Sequence, residues 1–247
     1  MHDQTTFGRF SAISAILSAP LALLSTFIAI AAVGFNFDLL DEPAGLIKLG
    51  SGPANLFAWS WILAALGFYL LLVPAALYLD DWLKSKKPNL LKMYTVFGLS
   101  YIFIGTIDLL TMVTVLSPMM RAYADAQGPQ REVLVVVFQP FANLAFADLS
   151  TLTFILGGIW WLGIGRILTS EKRVLGIITV NLGVATFGSG LGYLFQFEPL
   201  ARLEVFNYFL GPIWALWLGV VIWRRAKQRE AAIQPATVAE RSGGPLD

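Results

Sequence analysis

The sequence predicts an all-α membrane bundle of six transmembrane helices with both termini on the cytoplasmic side. Three observations carry that expectation. Of 247 residues, 57% are apolar and 13% charged, roughly half the charged share of a soluble domain. Apolar stretches long enough to cross a hydrocarbon core, about 20 helical residues each, occur six times, at 10 to 34, 56 to 79, 93 to 117, 141 to 166, 174 to 195 and 205 to 223. The basic residues fall mainly on alternate connections: Arg9, four in 80 to 92, three in 166 to 173 and five after 223, thirteen in all, against Lys48, Arg121, Arg131 and Arg202. That asymmetry orients the chain with both ends inside. Lipid offers the backbone no hydrogen-bond partners, so each span must be a helix.

Span 1 follows Arg9 and carries small residues at Ser11, Ser14, Ser18, Ala22, Ser25, Ala29 and Ala32, a spacing that suits close packing on a neighbouring helix. A secretory signal is the alternative, because Ala29, Ile30 and Ala31 make a small-x-small arrangement; the apolar run is longer than the usual h-region of about 7 to 15 residues. Residues 35 to 55, with Asp38, Asp41, Glu42, Pro43 and Pro53, form an acidic outer loop. Span 2 has Trp59 and Trp61 near its outer end and Tyr78 and Trp82 near its inner end. Trp160 and Trp161 stand near the inner end of span 4, and Trp223 ends span 6. These positions predict interfacial anchors.

Between spans 3 and 4, residues 118 to 140 run through Pro118, Gly128 and Pro129 to the apolar segment Val133 to Phe138 and Pro140. That segment is too short to cross alone. A kinked outward extension of span 4 is favoured over an interfacial or re-entrant piece. Span 5 carries Gly188 and Gly192 at GxxxG spacing, which predicts ordinary helix packing. In span 6, Trp214 and Trp217 lie deep beside Pro212, as core packing or as a ligand-stacking wall. The expected organisation is one transmembrane domain, 1–225, followed by a disordered cytoplasmic tail, 226–247.

Composition also excludes chemistry. There is no cysteine and the single histidine is His2, which removes thiolate and histidine metal sites, iron-sulfur clusters, histidine-ligated haem and histidine-based triads. No metal or cofactor is expected. The 17 basic and 16 acidic residues nearly cancel, unlike the basic footprint of a nucleic-acid binder. Partners are expected to be the lipid bilayer, a small-molecule ligand, and a membrane-protein partner or a second copy of the chain.

Ionisable groups inside spans are costly and therefore functional candidates. Two stand out, Asp108 in span 3 and Asp148 in span 4. At 1.5 Å per residue, Asp108 lies about 22 Å from the inner end of its span and Asp148 roughly 10 Å below its outer end. Thr111 and Thr114, Asn143 and Thr151, Ser189 and Tyr193, and Asn207 gather at similar depth, beneath Arg121, Gln196, Glu198, Arg202 and Glu204. These residues predict an outward-facing polar vestibule. The candidate binding set is Asp108, Asp148, Asn143, Thr111, Asn207 and Trp214, for a small polar or cationic solute or a proton. The alternative is that each aspartate is satisfied by nearby hydroxyls or amides as interhelical glue. No catalytic residue is assigned.

Three stretches, YTVFGLSYIFIGTI in span 3, GGIWWLGIGRIL in span 4 and GPIWALWLGVVIWRR in span 6, resemble a group of uncharacterised bacterial six-span membrane proteins classed as a domain of unknown function. The resemblance implies six helices and a bacterial inner-membrane protein, and carries over no site residues. The functions open at this stage are a solute binder or transporter, an accessory or assembly subunit of a membrane complex, and an intramembrane lipid- or isoprenoid-modifying enzyme with paired carboxylates as acid and base.

Overall fold

The computed structural model describes residues 2–36 and 43–242. Asp38, Asp41 and Glu42 of the acidic loop, and 243–247 of the expected tail, lie outside the described residues. Six helices are long and apolar enough to cross a membrane: span 1 (Gln4–Ala32), span 2 (Ser51–Leu83), span 3 (Pro88–Asp125), span 4 (Pro129–Thr169), span 5 (Arg173–Leu194) and span 6 (Glu198–Ala231). Among the described residues there is no strand. In spans 2, 3, 4 and 6 the apolar run lies within a longer helix whose ends carry polar residues, whereas the span 5 helix is no longer than its run. The Val133–Phe138 segment belongs to span 4, which stays helical through Pro140 and a π turn at Leu144–Leu149.

Successive spans pack as antiparallel neighbours, and span 1 returns against span 6 to close the ring. Arg9 at the start of span 1 pairs with Glu230 on the last helix, so both ends lie on one side, here the terminal side. The small-residue stripe makes this closure possible: Ser11, Ser14, Ser18, Ala22 and Ser25 are all buried. Gly67 of span 2 lies against the backbone of Ser18 and Ala22, and Ser60 donates to the Ser25 carbonyl at 2.9 Å.

Spans 4 and 5 meet through Gly158 and Gly165 on one helix and Gly176, Gly183 and Gly190 on the other. A Cβ on Gly183 would lie 2.6 Å from the Leu162 nitrogen, and one on Gly190 would lie 3.0 Å from that of Ile155. Glycines seven residues apart keep one face of span 5 flush with its neighbour. Gly188 and Gly192, by contrast, face the turn that follows span 5, at Leu203 and Ala201.

The tryptophans correct the expectation from sequence. Trp61, Trp82, Trp160, Trp161 and Trp214 are buried, while Trp59 is 62% exposed. Space left by glycines explains the difference: the Trp160 ring occupies the position where a Cβ on Gly98 would lie, 2.6 Å away. Trp160 and Trp161 both meet Trp214 edge-on, with centroids 5.9 and 5.8 Å apart, and Tyr101 packs on Trp161 at 5.0 Å. These four rings fill the middle of the bundle.

On the terminal side, Lys86 bonds Glu171 at 2.9 Å and ties the second connection to the fourth. This hydrogen bond holds the Glu171 carboxyl below its ordinary range. The last helix extends well past Trp223, as Glu204–Ser242. Buried Ala226 and the Arg225 guanidinium, 4.5 Å over the Trp82 ring, fasten its extension.

Candidate functional site

Asp108 is the one carboxylate in the described part of the bundle that is buried, at 4% exposure. One of its oxygens, Oδ2, accepts a hydrogen bond from Ser150 of span 4 at 3.1 Å, while Oδ1 is buried with no partner in the protein. No ion pair among the described residues involves it.

The backbone around this carboxylate departs from regular helix on all three neighbouring spans. A π turn occupies Ala65–Tyr69 in span 2, Met112–Leu116 in span 3 and Leu144–Leu149 in span 4. Such turns break the i→i+4 ladder and recur at functional sites. Here they have identifiable consequences. The Met112 amide is shared between the Asp108 and Leu109 carbonyls. The Ser150 hydroxyl reaches the Ala145 carbonyl at 3.0 Å, a five-residue step, as well as Asp108. The π turn in span 2 ends on Tyr69, whose ring lies over Gly105, one turn before Asp108.

Spans 3 and 4 run in a steady antiparallel register. Asp108 faces Ser150, Tyr101 faces Gly157 and Gly98 faces Trp160. The same register sets Thr153 level with Gly105 and Tyr69. Thr153 is buried, and its hydroxyl also has no partner in the protein. Tyr208 of span 6 is 38% exposed and meets Phe68 of span 2 edge-on at 6.2 Å. Tyr193 donates to Glu204 at 2.6 Å. Like Asp108, this pair lies in the half of the bundle opposite the termini. The ring layer of Tyr101, Trp160, Trp161 and Trp214 closes the terminal side of Asp108.

The structure brings only part of the expected set together. Asp148 shares the depth of Asp108, since the register sets it level with Leu110, but it is exposed. Two residues separate it from Ser150, which puts it on the opposite side of the helix. Asn143 is also exposed and accepts from Gln139 at 3.3 Å. Thr111 donates to the Ile107 carbonyl of its own helix at 2.9 Å. Asn207 joins spans 5 and 6 by accepting from Thr186 at 2.9 Å, and its Nδ2 is buried without a protein partner. A half-open cavity lies on the terminal side, beside Gln4, Phe7, Tyr78 and Asp81. Asp108 is thus closed off from solvent rather than standing in an open vestibule.

Trp214 is fully buried and donates through Nε1 to Thr179 Oγ1 at 2.8 Å, so it acts as core packing. Replacing it with phenylalanine removes that bond and part of the ring. The expected cost is about 2 kcal/mol of unfolding free energy in detergent, from lost burial plus one buried hydrogen bond; chemical denaturation of the purified variant measures it.

Ser150, Thr153 and Tyr69 are site residues that sequence reasoning did not select. The legible trace was Ser150 and Thr153 at i and i+3, on the face of span 4 opposite Asp148.

Fold and site together define a six-span helical membrane protein with, among the described residues, one buried, charge-unpaired aspartate where spans 2, 3 and 4 meet. The chain belongs to the family described as Domain of unknown function (DUF4386), whose sequence model matches residues 16–223. No curated protein and no solved structure matches the chain.

Proposed function

We propose that this chain is a bacterial inner-membrane protein, with both termini cytoplasmic, that binds or transports a small solute in a proton-coupled manner through Asp108. The observation that carries the reading is the buried carboxylate whose Oδ1 has no protein partner and which no cation faces. A lone charge in a low-dielectric interior is costly. A carboxylate kept there at that cost suits a residue that takes up a proton or the cationic part of a solute. Ser150 orients the carboxylate, while Thr153 and Tyr69 supply hydroxyls one turn away. The closed geometry fits an occluded state. The Glu204 and Tyr193 pair is the polar route toward the opposite side, and the tryptophan layer is the barrier toward the termini.

Proteoliposomes loaded with a pH-sensitive dye, and driven by a potassium diffusion potential, test the proton-coupled reading. Wild-type protein should acidify the interior faster than empty vesicles, and Asp108→Asn should reduce the rate to that of empty vesicles. Equal rates for the two proteins would remove Asp108 from the pathway.

The orientation rests on the thirteen basic residues of one side against four on the other. Because the chain has no cysteine, single cysteines can report topology directly. In intact cells, a membrane-impermeant maleimide should label Arg131→Cys and spare Lys87→Cys. The reverse pattern would overturn the orientation.

A further inference from the structure

A second site lies where spans 2 and 6 reach the terminal side. Tyr78 and Trp82 are 3% and 6% exposed; the Tyr78 hydroxyl is in hydrogen-bonding reach of the Arg225 guanidinium, which leaves its own proton without an acceptor, and the Trp82 Nε1 has no partner among the described residues. Arg225 Nε is buried and unpartnered as well, and its guanidinium stacks on Trp82 at 4.5 Å. The two rings meet edge-on with centroids 6.4 Å apart. Three buried polar groups from two helices thus share one small region, each able to donate a hydrogen bond. Burying donors without an acceptor is destabilising, so their grouping calls for an acceptor.

The charges around the Tyr78 hydroxyl are Arg225, Arg229 and Asp81. Asp81 is engaged by Lys84 at 2.5 Å, and Glu230 is held by Arg9. Among the described residues, positive charge therefore remains for an incoming anion. The neighbouring cavity of about 340 Å³, lined by Gln4, Phe7, Tyr78 and Asp81, gives it room.

We infer that Tyr78, Trp82 and Arg225 form an anion site for a phosphate group, supplied by the headgroup of an anionic phospholipid. Position favours the lipid over phosphate free in water: the donors sit where spans 2 and 6 reach the terminal side, the level at which headgroups concentrate and basic pockets between helices capture them. This site is independent of Asp108, and the inference does not rest on the proposed solute binding.

The test compares the full chain in phosphatidylcholine nanodiscs, in nanodiscs containing phosphatidylglycerol, and in phosphatidylcholine nanodiscs with added inorganic phosphate. Lipid retention is read by native mass spectrometry, and the unfolding midpoint by thermal denaturation. Phosphatidylglycerol should be retained and should raise the midpoint. Tyr78→Phe, which keeps its ring, and Trp82→Phe, which keeps an aromatic face under Arg225, should each weaken retention about tenfold, the loss of one hydrogen bond to a charged acceptor. A midpoint raised equally by inorganic phosphate would support the site and assign its anion to the aqueous phase. No preference for phosphatidylglycerol or phosphate over phosphatidylcholine would overturn the inference, as would undiminished retention in both conservative variants.

Discussion

Replacing Gly67 with leucine is expected to prevent the bundle from closing. A Cβ at this position would overlap the Ala22 amide nitrogen and lie 2.9 Å from the Ser18 carbonyl oxygen. Both obstacles are backbone, which cannot rotate away as a side chain can. Ser18 and Ala22 are themselves buried at 0% and 1% exposure, so span 1 has no slack on this face. Overpacking a tight core costs roughly 1–3 kcal/mol, and the remaining leucine carbons add to that here. The expected loss is about 3 kcal/mol or more, seen as collapse of the monodisperse peak in size-exclusion chromatography after extraction. Gly67→Ala should show an intermediate defect. Because Gly67 lies inside the π turn that ends on Tyr69, the same change should displace Tyr69 from Gly105 and disturb the Asp108 site.

Asp108→Asn is expected to do the opposite to stability while abolishing function. An asparagine keeps the shape and still offers an oxygen to Ser150, but removes a charge that no ion pair among the described residues balances. Removing an uncompensated buried charge relieves its desolvation cost and should raise the unfolding midpoint, and residues that lower stability for the sake of activity behave this way. If the aspartate were interhelical glue, its substitution would leave stability unchanged or reduce it. Ser150→Ala should be nearly neutral, because Ser150 also bonds the Ala145 carbonyl of its own helix. Thermal unfolding of the three proteins in one detergent decides between the two accounts.

How much of this was legible in the sequence depends on the kind of residue. The six spans were, because the period and length of an apolar helix are set by the bilayer alone. The Ser and Ala stripe of span 1 was also legible, since helical spacing fixes which residues share a face. Depth was readable for Asp108 and Asp148, because it follows from counting along two antiparallel helices. Facing was not. Two residues of rotation separate the outward Asp148 from the inward Ser150, and the uniformly apolar surroundings left no polar face to set the phase of span 4. The tryptophans failed as anchors for a related reason. Their position along the helix matched an interface, but Gly98 on the neighbouring span, whose partner was not readable from one sequence, opened the space that drew Trp160 inward. The π turns beside Asp108 had no signature either, since they arise from packing between spans.

The central claim is that Asp108 is the proton-binding carboxylate of the bundle. Infrared spectroscopy of protein carrying isotope-labelled aspartate tests it most directly, because a protonated carboxyl and a carboxylate absorb at separate frequencies. Wild-type protein should show a labelled carboxylic-acid band whose intensity changes with pH, and that band should be absent from Asp108→Asn. A wild-type spectrum with no such band, or a band that survives in Asp108→Asn, would contradict the account.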